Sequence, residues 1–230
     1  MSAPHQLLLN LKLDWIPTLD NYVTGNNQQL LRHLQGLARS AGSEAIYLWG
    51  SEGCGKSHLA RAIADLAKTH RPLLDLNGLA FPPEPEIAAN GLIVVDDVQH
   101  LSAEAQIGLF RLFVRARHDG LALLLTGPVP PLELTLREDL RTRIGQGLIY
   151  EIQNLTDEEK QAALQRHAAL RGMRLETNVV LYLLRHGRRD LPSLMAMLDT
   201  LDRTSLEQKR QASVPMLREL MQTTLELHPK

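Results

Sequence analysis

A single cysteine, Cys54, serves the whole chain of 230 residues. That excludes an intramolecular disulfide and any zinc cage built on thiolates, and a chain without a disulfide fits a reducing compartment. Aromatic residues make up only 4%, too few to interleave with cations as a stacking surface for single-stranded nucleic acid would require. Charge of one sign is also missing. The formal net charge of −1 provides no global field toward nucleic acid or an anionic membrane. No apolar run approaches the ~20 residues of a membrane span, and residues 1–5 lack the basic start and apolar stretch of a signal peptide. The expected compartment is the cytoplasm, with no membrane partner. The nine histidines show no metal-ligand spacing such as H-E-x-x-H and are expected at the surface.

The apolar share of 44% is enough for an ordinary buried core. Residues Asn27–Arg39 carry leucines at helical spacing. Short apolar runs at Ile46–Trp49, Leu73–Leu76, Leu92–Val95, Leu121–Thr126 and Leu148–Ile152 read as strands, and Lys56–Lys68 and Ala103–Arg117 as helices between them. Pro82, Pro83 and Pro85 exclude regular helix where they stand. Leu92–Val95 has the unbroken apolar character of a strand buried on both faces. Strands alternating with helices predict an α/β fold with a parallel five-stranded sheet. From Thr156 onward the pattern turns all-helical. Thr156 and Glu159 form a capping box, then come helices near Asn178–Arg185 and Asp190–Leu206, and a last one capped by Ser213 with Pro215 just inside. The predicted organisation is a leader over 1–16, an αβα domain over 17–153 and a small helical lid domain over 154–230.

Gly50-Ser51-Glu52-Gly53-Cys54-Gly55-Lys56-Ser57 fits the G-x-x-x-x-G-K-[ST] phosphate loop, with a strand before it and a helix after it. Its glycines let successive N–H groups point inward at phosphate oxygens. Lys56 brings a point charge to the β- and γ-phosphates, the Ser57 hydroxyl is a magnesium ligand, and His58 opens the helix whose positive end faces the anion. The expected ligand is ADP or ATP with Mg²⁺. The strand Leu92–Val95 runs into Asp96 and Asp97. Asp96 is the candidate second partner for the metal, and Asp97 the candidate for orienting a water.

These motifs resemble the DnaA-related AAA+ proteins. Val95-Asp96-Asp97-Val98-Gln99-His100-Leu101 resembles the Walker B stretch of the bacterial replication initiator DnaA. Leu19-Asp20-Asn21-Tyr22-Val23-Thr24-Gly25 resembles its adenine-packing segment, which implies that Tyr22 and Val23 flank the base. Leu140-Arg141-Thr142-Arg143-Ile144-Gly145-Gln146-Gly147-Leu148 resembles the box bearing the arginine finger. Arg189-Asp190-Leu191 resembles the sensor 2 stretch of the lid. The resemblance spans residues 18–225. Near the start, Gln6-Leu7-Leu8-Leu9-Asn10-Leu11 resembles the peptide that docks on the polymerase sliding clamp, with Leu7, Leu9 and Leu11 for an apolar groove and Gln6 at its edge; an N-terminal strand packed on the domain is the plainer reading. The initiator continues past its lid into a helix-turn-helix domain, whereas the sequence given ends at Lys230, and no such domain is expected.

Within that family the clamp-binding regulatory inactivators of DnaA are the nearest in pattern. The resemblance implies a regulator that, with the DNA-loaded sliding clamp (the β subunit of DNA polymerase III), stimulates ATP hydrolysis by the initiator and so represses replication initiation, reaching DNA indirectly through the clamp, at the replisome or nucleoid. It assigns the finger acting in trans to Arg143, with Arg141 as alternative, and nucleotide sensing from the lid to Arg189. Head-to-tail self-association through the same surfaces would compete with the initiator. The chain departs from the family at Pro128, where the initiator has an acidic sensor 1 residue. Thr126 is then the substitute, and weak or absent intrinsic hydrolysis is expected. A DnaC-type helicase loader, a free-standing ATPase and a nucleotide-dependent scaffold are the rival readings.

Overall fold

The computed structural model describes residues 17–40, 42–188 and 190–227. The first unit begins with helix α1 (Gln28–Arg39), then alternates β1 (Ala45–Trp49), α2 (Lys56–Ala67), β2 (Leu73–Asn77), β3 (Leu92–Asp96), α3 (Ala103–Asp119), β4 (Ala122–Gly127), α4 (Glu138–Gly145) and β5 (Leu148–Glu151). The five strands form one sheet in the order β2-β3-β4-β1-β5, and every neighbouring pair is parallel. The expected fold class is therefore borne out.

Side chains alternate across a strand, so each continuous apolar run serves two cores. Ile46, Leu48, Leu92, Val94 and Leu124 pack with Leu34, Leu59 and Ile63 on the α1/α2 face. Tyr47, Ile93, Val95, Leu123 and Leu125 pack with Leu109, Leu112, Leu140 and Ile144 on the α3/α4 face. The expectation that β3 is covered on both sides is met: Leu92 to Val95 are all fully buried. Among the described residues β5 is an edge, paired with β1 alone, and leaves Leu148 and Ile149 partly exposed. The proline-rich stretch is irregular, as expected, and presses on α3 so closely that a Cβ on Gly108 would meet the Pro83 carbonyl oxygen at 2.4 Å.

At the N-terminal edge of the sheet, Arg71 ties several loops together. Its guanidinium donates to the carbonyls of Leu37, Ser40, Asn90, Gly91 and Gly120 at 2.7–3.1 Å. α3 is closed at both ends, by the Ser102 hydroxyl accepting from the Ala105 N–H and by left-handed Gly120.

The second unit is helical: α5 (Asp157–Leu170), α6 (Thr177–His186), α7 (Leu191–Gln208) and α8 (Val214–Leu227). Thr156 and Glu159 form the reciprocal capping box read from the sequence. Leu164, Val180, Leu183, Leu194, Leu198, Leu201 and Leu217 make its core. One sequence expectation fails here. His167 is not at the surface but 5% exposed. It lies on the inward stripe of α5 with Ala163, Leu164 and Ala168, and its Nε2 meets Asp199 Oδ1 on α7 at 2.6 Å. Arg171 holds the other Asp199 oxygen at 3.1 Å. The carboxylate supplies the partner that lets an imidazole replace an apolar side chain in a core.

Candidate nucleotide site

β1 ends at Trp49 and α2 begins at Lys56, so the glycine-rich loop turns between a central strand and a helix N-terminus at the C-terminal edge of the sheet. Gly53 and Gly55 have φ of +76° and +106°, which only glycine adopts freely. They also sit under close neighbours. A Cβ on Gly53 would stand 2.4 Å from the Asp190 Cβ, and one on Gly55 would stand 3.0 Å from the Tyr22 ring. The Lys56 ammonium donates to the Gly50 and Ser51 carbonyls, both at 2.9 Å.

Asp96 ends β3 beside β4, where the fully buried Thr126 joins both acids. Its hydroxyl donates to Asp96 Oδ1 at 2.5 Å and accepts the Asp97 N–H at 2.9 Å. Thr126 therefore does not point into open space as a substitute sensor; it orients the Asp96 carboxylate. Asp97 is left-handed, at φ +59°, an uncommon conformation outside glycine that costs free energy. Its carboxylate accepts from Gln99 Nε2 at 3.1 Å and from Asn77 Nδ2 at 3.4 Å. Pro128 is exposed.

A cavity of about 690 Å³ opens between this loop and the lid. Its walls include Tyr22 and Val23, the loop from Ser51 to Gly55 with Ser57, His58 and Arg61, and the lid residues Leu155, Thr156, Asp157, Lys160, Asp190, Pro192 and Met195. Tyr22, Val23, Ser51–Gly55, Ser57 and His58 thus share one space, while Gly50, Lys56, Asp96, Asp97 and Arg143 are not among its lining residues. Burial pushes the Tyr22 hydroxyl well above the usual tyrosine range. It likewise raises the Cys54 thiol, against the pull of the Lys56 charge. Burial lowers the His58 imidazole, whose Nε2 sits 2.9 Å from the Thr18 carbonyl oxygen. Burial also works to raise the Asp190 carboxyl, yet bonds from Ser193 and the Arg188 charge hold it below the ordinary value.

Arg143 is exposed in the last turn of α4, with Arg141 half-buried beside it. α4 leads into β5, and Gly147 packs on the Ala45 carbonyl at the start of β1. Arg143 therefore lies toward the sheet edge opposite the phosphate loop. Arg189 and the segment Gln6, Leu7, Leu9 and Leu11 fall outside the described residues. Sequence reasoning did not find Arg61, Asn154 or Lys160 at this site, nor Asn27 behind Tyr22. Asn27 is 5% exposed and pairs with Gln153, far away in the chain, and no local pattern signals such a partner. Among the described residues, no cluster of three or more His, Cys, Asp and Glu side chains could hold a metal, and no helix is long and apolar enough to cross a membrane.

Residues 157–221 match the family model described as "Hda, lid domain". The chain is similar to domain III of the replication initiation protein DnaA from Thermotoga maritima, with 16% identity, 90% of this chain and 95% of that one covered, and a TM-score of 0.75. A structure of the initiator DnaA bound to AMPPCP and single-stranded DNA matches with 21% identity, 85% and 69% coverage and a TM-score of 0.67. A RuvB variant from Thermotoga maritima matches with 16% identity, 90% and 72% coverage and a TM-score of 0.68. At these identities the likeness establishes the fold.

Proposed function

With an Hda-like chain as the premise, an AAA+ core carrying a lid of the Hda family, we propose that this protein is a nucleotide-holding regulator of the initiator DnaA. In this reading it docks on the DNA-loaded sliding clamp through Gln6, Leu7, Leu9 and Leu11 and stimulates ATP hydrolysis by the initiator. The observation that carries the reading is the pairing of an Hda-family lid with an Arg143 exposed toward the sheet edge opposite this chain's own phosphate loop. An arginine so placed serves a neighbouring molecule rather than its own nucleotide.

The residues in and beside the cavity fit a nucleotide. Left-handed Gly53 and Gly55 turn the loop so that backbone N–H groups face an anion, and the N-terminus of α2 adds its partial positive charge. Lys56 exchanges the carbonyls of Gly50 and Ser51 for phosphate oxygens. Tyr22 and Val23 offer apolar surface for the base. Ser57 and Asp96 would hold Mg²⁺, the remaining ligands being phosphate and water oxygens; the ion would neutralise phosphate charge. Arg189 would contact the phosphates from the lid.

Weak hydrolysis by this chain itself accords with the surroundings of Asp97. Its carboxylate is engaged by Gln99 and Asn77, Thr126 is spent on Asp96, and Pro128 has no polar side-chain atom. ADP then serves as well as ATP, as a ligand that fixes the lid. An arginine supplied in trans stabilises charge on the equatorial oxygens of the transferring phosphoryl group and is worth about 10³–10⁵ in rate.

The test is ATP hydrolysis by the matching initiator, with this protein and DNA-loaded clamp added singly and together. Stimulation should require both, and should vanish with Arg143→Ala or with Gln6→Ala combined with Leu9→Ala. Stimulation that survives Arg143→Ala and Arg141→Ala together would remove the finger from the mechanism.

A further inference from the structure

Asn27 is the N-cap residue of α1, a position where asparagine normally bonds the helix's own N–H groups, yet its side chain makes no such bond. It is 5% exposed and turns instead to the crossover between core and lid. Its Oδ1 accepts the Gln153 N–H at 3.2 Å and its Nδ2 donates to the Gln153 carbonyl at 3.3 Å. The amide thus pairs with both polar groups of Gln153, as a neighbouring strand would. The same Nδ2 lies 3.4 Å from the Tyr22 hydroxyl.

Gln153 occupies a particular place. One residue earlier, the Ile152 N–H still bonds Trp49 and so extends the β5–β1 pairing. One residue later, Asn154 accepts from the Ser51 hydroxyl of the phosphate loop at 3.0 Å. Four residues later, Asp157 opens α5. The chain leaves the sheet and enters the lid here; Gln153 is held by Asn27, and Asn154 by Ser51 of the cavity wall. Tyr22 is itself part of that wall, against Gly55 and tilted on His58 with ring centroids 5.5 Å apart.

We infer that Asn27 is a positioning residue that couples occupancy of the cavity by an adenine nucleotide to the orientation of the lid. The inference rests on the nucleotide reading above. A base seated against Tyr22 restrains its ring and, through its hydroxyl, the Asn27 amide. The amide in turn holds the Gln153 peptide at the pivot. A buried amide that satisfies both groups of one distant peptide has little freedom to re-pair, because leaving them unpaired is costly. Ligand contact at Tyr22 therefore biases the lid angle without a lid side chain having to touch the base.

The experiment uses the full chain with ADP as probe, following binding by titration calorimetry, amide exchange over residues 152–156, and the small-angle scattering profile. In the wild type, ADP should slow exchange at Gln153 and shift the scattering profile. Asn27→Leu, which keeps the number and branching of the side-chain heavy atoms but cannot bond, should still bind ADP in the calorimeter while losing both responses. Tyr22→Phe, which removes only the hydroxyl, should weaken them, and it carries the test if Asn27→Leu does not fold. A merely structural Asn27 would lower Tm and leave the ADP response intact. A full wild-type response in both variants, or a wild type that binds ADP with no response at Gln153, overturns the coupling alone. A wild type with no ADP binding overturns the nucleotide reading and the coupling with it.

Discussion

Replacing Gly53 with alanine separates two physical effects that usually arrive together. Gly53 has φ +76°, and an added Cβ would meet the Asp190 Cβ of the lid at 2.4 Å. Gly172, in the lid, has nearly the same φ, +70°, with nothing within 4 Å of an added Cβ. Gly172→Ala should therefore cost only the left-handed conformation, about 1–2 kcal/mol. For a chain of this size that lowers Tm by about 2–8 °C, at about 2–4 °C per kcal/mol. Gly53→Ala carries the same conformational cost. In addition, either the loop or the lid must withdraw by about 1–1.5 Å to restore a normal carbon–carbon contact, and overpacking of this kind costs a further ~1–3 kcal/mol. Scanning fluorimetry on both variants, with calorimetric ADP binding on each, gives the comparison. Gly53→Ala should be the less stable of the two and should bind ADP more weakly, with Gly172→Ala unchanged in binding. Equal losses of Tm together with equal ADP affinity would show that Asp190 yields freely, and that the lid is not braced on the phosphate loop.

Arg71→Ala removes bonds to five backbone carbonyls from three segments of the chain, and should destabilise the core by about 2–4 kcal/mol, read as a loss of denaturant midpoint with ADP affinity little altered; Arg71→Lys should recover only part of it, since an ammonium cannot span the fork. The lowered folded-state value of His58 sets a pH dependence. The unfolded chain protonates this group first, near the ordinary value of about 6.5, so its contribution is whole above that pH and is lost as pH falls toward the folded value. The fall in Tm between about pH 7 and 5 should therefore be smaller in His58→Gln than in the wild type; identical profiles would contradict the burial argument.

What the sequence disclosed follows from how local each signal is. The strands were legible because their apolar runs are short, unbroken and bounded by polar or glycine-rich turns. The phosphate loop was legible because its geometry is carried by eight consecutive residues, Gly50–Ser57. α4 was not read as a helix. It has only eight residues, with buried apolar positions at Leu140 and Ile144 alone, too few for a periodic signal. The role of Thr126 was misjudged for a related reason. A hydroxyl at the end of β4 reads as free to reach a phosphate, until the pairing of β3 with β4 brings it beside Asp96. His167 reads as a surface histidine until α7 supplies Asp199. Asn154 and Lys160 reach the cavity, and Asn27 reaches Tyr22 behind its wall, only through the packing of distant segments, and nothing in their immediate neighbours announces it.

The place of β1 in the sheet has a consequence for how the protein assembles during synthesis. β1 is made before the other strands, yet both of its neighbours come from much later in the chain: Ala45 pairs with Leu123 and Ile46 with Leu148. A growing chain can pair β2 with β3 soon after Asp96 is made, but the apolar stretch Ile46–Leu48 has no strand beside it until β4 and β5 follow. Pairings so distant in sequence bear a large loop-closure cost and form slowly. The phosphate loop hangs from the end of β1, so it gains its shape only when the last strand has docked. A chain arrested before Glu151 would present unpaired β1 edges to its neighbours, and the ability to hold a nucleotide would mark completed assembly of the whole core rather than of the loop itself.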